Sequence, residues 1–200
     1  MYRDNPFHNY EHACHVQMSM HKLLQRIVRP ENISYDGECA DIASEAHNYT
    51  YGITSDPLTQ FAVLFCALIH DVDHNGVPNG VLIKENSYVA AHYKNKSVAE
   101  QNSIDLGWDL LMDKNYEDLR KILYSTKSEL KRFRQLVVNV VLATDIFDKE
   151  LSALRKSRWN KAFSPENKEI EGTVDDSNRK ATIVIEHLIQ ASDVAHTMQQ

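Results

Sequence analysis

The sequence predicts an all-α fold. Glycine and proline are scarce, with six and five in 200 residues, about half the usual share of roughly 12%. From Trp108 to Ser164 there are 57 consecutive residues with neither. Sheets need turn residues often, so a stretch this long without them favours helices. Through most of the chain, apolar residues also recur at steps of three and four, the period of an amphipathic helix. A chain of this length buries roughly 70% of its unfolded surface and builds a core without staples.

The elements follow in order. Tyr10 to Ile27 is a helix with Val16, Met20, Leu23, Leu24 and Ile27 on its apolar face, closed by Pro30. Residues 29 to 55 are polar and mixed, a loop with one short helix near Asp41 to His47. Asp56-Pro57 is a helix start, with Asp as N-cap and Pro at the first helical position. The helix from Leu58 to about His70 is apolar nearly all round, which places it at the centre of a core. Asn75-Gly76 and Pro78-Asn79 mark a turn. Helical character resumes weakly from Asn79 to Tyr93, then clearly from Ser97 to Met112 and from Asn115 to Tyr124. Glu129 to about Trp159 reads as the longest helix. Its Val137–Val141 stretch has strand-like β-branched content, but the surrounding helical period assigns it to helix. Ser164 to Asn178 reads as a polar, acidic surface loop, and Arg179 to Gln199 as the last helix.

Charge and cysteine content exclude several function classes. The net charge of −6 leaves no broad basic surface for DNA or RNA. Lys127, Lys131, Arg132 and Arg134 read as a solvated helix face. A small phosphate ligand stays in play if a metal supplies the local positive charge. Cys14, Cys39 and Cys66 are odd in number and widely spaced, so they read as reduced, buried thiols. The longest apolar run, Phe61 to Ile69, is too short to cross a bilayer. Membrane contact within this segment is not expected, and an intracellular, cytoplasmic-side location is.

Ten histidines are many for this length, and their placement is informative. His8 and His12 lie four apart at a helix start and project from one face. His70 and Asp71 end the apolar run, with Asp73 and His74 just beyond, and Asp193 sits in the last helix. Two ionisable groups at a core boundary are costly unless something pairs with them. Imidazoles and carboxylates brought together by packed helices suit a divalent cation. Spacing alone does not name the reaction.

Five motifs in order carry a resemblance. His8-Asn9-Tyr10-Glu11-His12-Ala13 resembles the H-N-x-x-H-A element of the class I cyclic nucleotide phosphodiesterases. His70-Asp71-Val72-Asp73-His74-Asn75-Gly76-Val77-Pro78-Asn79 resembles their H-D-x-x-H-x-G-x-x-N signature. Ser97–Asn102 is similar to S-V-L-E-N-H, Leu142–Asp145 to L-A-T-D, and Ala191-Ser192-Asp193 to the closing A-(S/A)-D. The resemblance implies a multi-helix bundle around a binuclear metal site. It implies that His12, His70, Asp71 and Asp193 ligate the tighter metal, zinc, with Asp71 bridging to magnesium or manganese. By the same resemblance His8 is the proton donor, Glu100 orients it, and His74 and Asp145 stand behind the metals and their waters. The implied substrate is a small-molecule cyclic nucleotide, cAMP or cGMP, opened at its 3′-phosphoester in signal transduction.

The residue types suit that chemistry. Hydrolysing a phosphodiester at neutral pH calls for cations that activate water and offset developing charge. The leaving oxygen calls for an acid near neutral pKa, the role that the resemblance implies for His8. There are departures: Phe7 stands where Tyr is frequent, Asn102-Ser103 replaces two histidines, and His196-Thr197 replaces an Asn-Pro. The family's earlier helices and its nucleotide-pocket helices are expected outside residues 1–200, as are regulatory domains and any membrane attachment in a longer parent chain. An HD-type phosphohydrolase acting on another phosphoester and an inactive cyclic nucleotide sensor are the alternatives.

Overall fold

The computed structural model describes residues 1–27, 44, 47–164 and 173–195. Among these residues every regular element is helical. The helices are α1 (Tyr10–Arg26), α2 (Pro57–Ile69), α3 (Asn79–Lys84), α4 (Tyr88–His92), α5 (Val98–Met112), α6 (Glu117–Leu123), α7 (Lys127–Leu142), α8 (Lys149–Ala162) and α9 (Val174–Val194), with a 3₁₀ turn at Lys114–Tyr116 before α6. None of the described helices is long and apolar enough to cross a membrane. The turn at Pro30, most of the short helix near Asp41, Cys39, and the chain beyond Ala195 lie outside the described residues.

α2 is the axis of the molecule. Asp56 caps it by accepting from the Leu58 amide at 3.1 Å, with Pro57 at the first helical position. Ala62, Val63, Cys66 and Ala67 are fully buried. α1 and α7 pack against α2, while α9 lies against α1 and α7. Phe133 of α7 is fully buried, with Phe61, Phe65, Trp108 and Tyr124 around it at centroid distances of 5.9–6.1 Å. Val137, Val140 and Val141 continue that face, so the β-branched stretch is helical. Cys14 and Cys66 are free thiols; Cys66 is buried as expected, whereas Cys14 is only half-buried.

Three boundaries differ from the sequence expectation. The span Glu129–Trp159 is two helices, not one. Between them Asp145 Oδ1 accepts from the Asp148 amide at 3.1 Å, and Asp148 caps α8 through the Leu151 amide at 2.9 Å. These side-chain bonds to backbone compete with helix continuation without any Gly or Pro. The second difference is Asn79–Tyr93, which is two short helices hinged at Asn86 (φ 50°), with Ser87 capping the second. Third, the expected loop to Asn178 ends early. Thr173 caps α9, and buried Asp176 pairs with Arg179 and Lys180 at 2.6 and 2.9 Å. Polar composition hid this helix start, because its charges neutralise one another. The basic stretch on α7 is also tied down: Arg132 bonds Asp56 and Thr59, and Arg134 lies 4.4 Å over the Trp108 ring.

Candidate metal centre

The site forms where α1 begins and where α2 and α9 end. Asn9 caps α1 by accepting from the His12 amide at 2.9 Å, which fixes the turn that carries His12. Asn5 Oδ1 accepts from the Phe7 and His8 amides, both at 3.0 Å, and so shapes the loop that presents His8. That loop leans on Gly76, whose φ is +78°. A Cβ there would lie 2.4 Å from Asn5 Nδ2, so glycine is required twice over. At the end of α2, His70 continues the helical backbone and Asp71 follows it.

Four donor groups converge. His12 Nε2 lies 3.1 Å from Asp193 Oδ1 and 3.6 Å from Asp71 Oδ2. His70 Nε2 lies 3.3 Å from Asp71 Oδ2 and 3.5 Å from Asp193 Oδ1. His12, His70 and Asp71 are buried. Ligand atoms held about 2.1 Å from a tetrahedral cation are spaced by about 3.4 Å, the spacing seen here.

The tautomer of His70 sharpens the point. Its Nδ1 donates to the Ala67 carbonyl at 3.0 Å, which leaves Nε2 facing the two carboxylates. Nε2 is buried and has no hydrogen bond of good geometry. Burial works against a charged His70, yet Asp71 and Asp193 overcome it and raise its pKa to about 10. Asp193 is held well below the usual carboxylate range: burial opposes this, and the His12 and His70 imidazoles prevail. Asp71 is lowered in the same way, chiefly by His70. The pocket thus favours positive charge at His70 Nε2, and the two imidazoles and two carboxylates around it form a donor set of the kind that a divalent cation takes.

Beside this set lies another. His8, Asp71 and His74 bring one ligand atom each within 4.8 Å of one another. The His8 and His74 rings stack at 3.8 Å. His74 Nδ1 accepts from the Gly76 amide at 2.9 Å, which places its proton on Nε2. Burial lowers the pKa of both His8 and His74. His8 Nδ1 is buried without a hydrogen-bond partner.

Glu100, from the first turn of α5, accepts from Asn79 Nδ2 at 2.8 Å, and burial pushes it up to about 7. Asp145 accepts from Ser97 Oγ at 2.8 Å and lies 3.4 Å from Asn79 Nδ2. The structure brings His12, His70, Asp71 and Asp193 together with His8 and His74 beside them, while Glu100 and Asp145 are joined to each other through Asn79. The partner it gives Glu100 is Asn79. Asn5, Asn9, Ser97 and Asn79 received no role from the sequence. Asn9 was readable as an Asn preceding a helix, and Asn79 as the closing residue of the second motif.

The profile of the 3'5'-cyclic nucleotide phosphodiesterase family matches residues 7–200. The chain belongs to this family. It is 35% identical over 153 residues to the probable 3',5'-cyclic-AMP phosphodiesterase pde-4 of Caenorhabditis elegans, an alignment covering 76% of the chain and 19% of that protein. Against the human dual specificity calcium/calmodulin-dependent 3',5'-cyclic nucleotide phosphodiesterase 1C it is 31% identical over 142 residues, 71% of the chain and 17% of that protein. The chain thus spans about a fifth of the length of these relatives. The phosphodiesterase domain of the Salpingoeca rosetta rhodopsin phosphodiesterase superposes with a TM-score of 0.66 at 25% identity, covering 100% of the chain and 51% of the domain. A second structure, from the RhoPDE fusion protein of the same choanoflagellate, gives 0.64 at 26% identity, covering 96% and 51%. Membership in the phosphodiesterase family agrees with the all-helical fold.

Proposed function

We propose that the protein hydrolyses the 3′-phosphoester of a cyclic nucleotide to the 5′-monophosphate. The observation that carries this reading is the buried His12–His70–Asp71–Asp193 set, with the unpartnered Nδ1 of His8 beside it. His12, His70, Asp71 and Asp193 would hold zinc, with Asp71 shared with magnesium or manganese. When bound, these cations supply an activated water and offset charge on the phosphoryl oxygens. His8 gives a proton to the departing O3′ as the P–O3′ bond breaks, so no free alkoxide is released. Burial favours that transfer by lowering the His8 pKa. Glu100 spends one oxygen on Asn79, and its other is assigned to His8. His74, with its proton on Nε2, and Asp145 orient water beside the metals.

The names of the relatives support a cyclic nucleotide substrate and include both a cAMP and a dual-specificity enzyme. The half-coverage of the solved phosphodiesterase domains supports reading residues 1–200 as part of a larger catalytic domain. Additional regulatory domains and an intracellular, signalling setting belong to the same proposal.

The test uses the full-length protein loaded with zinc and magnesium, assayed on cAMP, cGMP and a nucleoside monophosphate. Turnover of either cyclic nucleotide is expected. Turnover of the monophosphate alone would mark a different phosphohydrolase, and binding without turnover a sensor. His8→Ala should lower kcat by about 10²–10⁴ with metal content intact. Asp71→Ala should lose metal.

A further inference from the structure

The amide of Asn79 sits between two carboxylates that come from distant parts of the chain. Its Oδ1 accepts from the Ala99 amide at 2.9 Å. A backbone N–H can only donate, so this contact fixes the flip of the side chain. Nδ2 therefore faces Glu100 Oε2 at 2.8 Å and Asp145 Oδ2 at 3.4 Å. One planar group thus ties the start of α3 to α5 and to the α7–α8 connection.

The electrostatics explain why such a group is needed. Glu100 is raised by burial, and the charged groups facing it, Asp145 and Asp71, are both negative. Asn79 is the side chain that donates to Glu100 and favours its ionised form. Asp145 has further donors in Ser97 Oγ at 2.8 Å and the Asp148 amide at 3.1 Å, so it depends on Asn79 less.

We propose that Asn79 is a positioning residue of the proposed phosphodiesterase: its amide donates to the Glu100 carboxylate and fixes its direction beside the candidate metal site, and its effect on turnover runs through Glu100. This rests on the reading of Glu100 as the partner of His8. Asn79 touches neither the four convergent ligands nor the transferred proton.

Asn79→Asp preserves size and the acceptor for Ala99 while replacing the donor with a third carboxylate. Asn79→Ser keeps a hydroxyl too short to span the same gap. Both variants are made in the full-length, metal-loaded protein and compared with Glu100→Gln. Each should lower kcat on cyclic nucleotide by about tenfold or more, with KM little changed and metal content per chain unchanged. Asn79→Asp should cause no additional loss in the Glu100→Gln background, the non-additivity expected when one residue acts through another. In side-chain carbon NMR, the Glu100 carboxyl should titrate at higher pH in both single variants than in the wild type. Additive losses, a KM increase with kcat intact, loss of metal, or an unmoved Glu100 titration would each overturn the proposal. If the wild type itself turns nothing over, the phosphodiesterase reading fails and the titration alone decides the role of Asn79. Should Asn79→Asp not fold, Asn79→Ser carries the same comparison.

Discussion

Glu100 stands at about 7 in the folded chain against an ordinary 4.5, because burial disfavours its charge. Between those two values the folded state holds a proton that the unfolded state has released. Stability therefore falls as pH rises through that window and is constant above it. Glu100→Gln carries no such proton. In metal-free protein it should gain on the wild type from about pH 4.5 to 7, reaching on the order of 3 kcal/mol, as read by denaturant unfolding at several pH values. An advantage that does not grow with pH would show that Glu100 is not held against its own charge. A residue that costs stability in its ionised form fits a functional role better than a structural one. The sequence displayed Glu100 within a motif but not this conflict, because the conflict depends first on burial by the packed helices and then on Asp145, 45 positions away. His70 and Asp71 were more legible. An apolar run that ends in two ionisable groups announces a core boundary in the residue order itself.

α2 and α5 meet closely just before the ligands. A Cβ on Gly107 would lie 2.7 Å from Ile69 Cδ1 and 3.1 Å from Ile69 Cβ, and Ile69 immediately precedes His70. Gly107→Ala gains helix propensity of about 1 kcal/mol, while overpacking costs about 1–3 kcal/mol. The variant should be destabilised by about 1 kcal/mol in chemical denaturation. It should also bind zinc more weakly in a competition titration, since the displaced Ile69 carries His70 with it. A stabilised variant with unchanged affinity would show that α2 yields freely there. At this scale the sequence was clearest where Gly, Pro or a cap punctuates the chain, as at Asp56-Pro57. It was blind at Ala143–Asp148, where helix breaking is done by the Asp145 and Asp148 side chains accepting from backbone amides. It was blind again at Thr173, where a cap and an Asp176–Arg179–Lys180 cluster start a helix in polar sequence.

The four convergent donor groups join α1, the end of α2 and the end of α9, so a cation held by them would bridge residues 12 and 193 across nearly the whole chain. Such a bridge stabilises only the folded state, by an amount set by free metal over Kd. At a thousandfold excess over Kd this is about 4 kcal/mol, a Tm increase of roughly 10 °C for a chain of this size. Calorimetry of chelator-treated protein during zinc titration should show that rise. Asp193→Asn should flatten it, because that carboxylate lies near both histidines. The pH dependence follows from His70. Without metal, Asp71 and Asp193 raise it to about 10 against the pull of burial, so a proton occupies it at neutral pH. Binding must expel that proton, and metal and proton compete for Nε2. Zinc affinity should therefore rise by about tenfold per pH unit between roughly 6 and 8, with about one proton released per ion from this residue in buffer-varied calorimetry. An affinity independent of pH, or binding with no proton release, would mean that His70 is not a ligand.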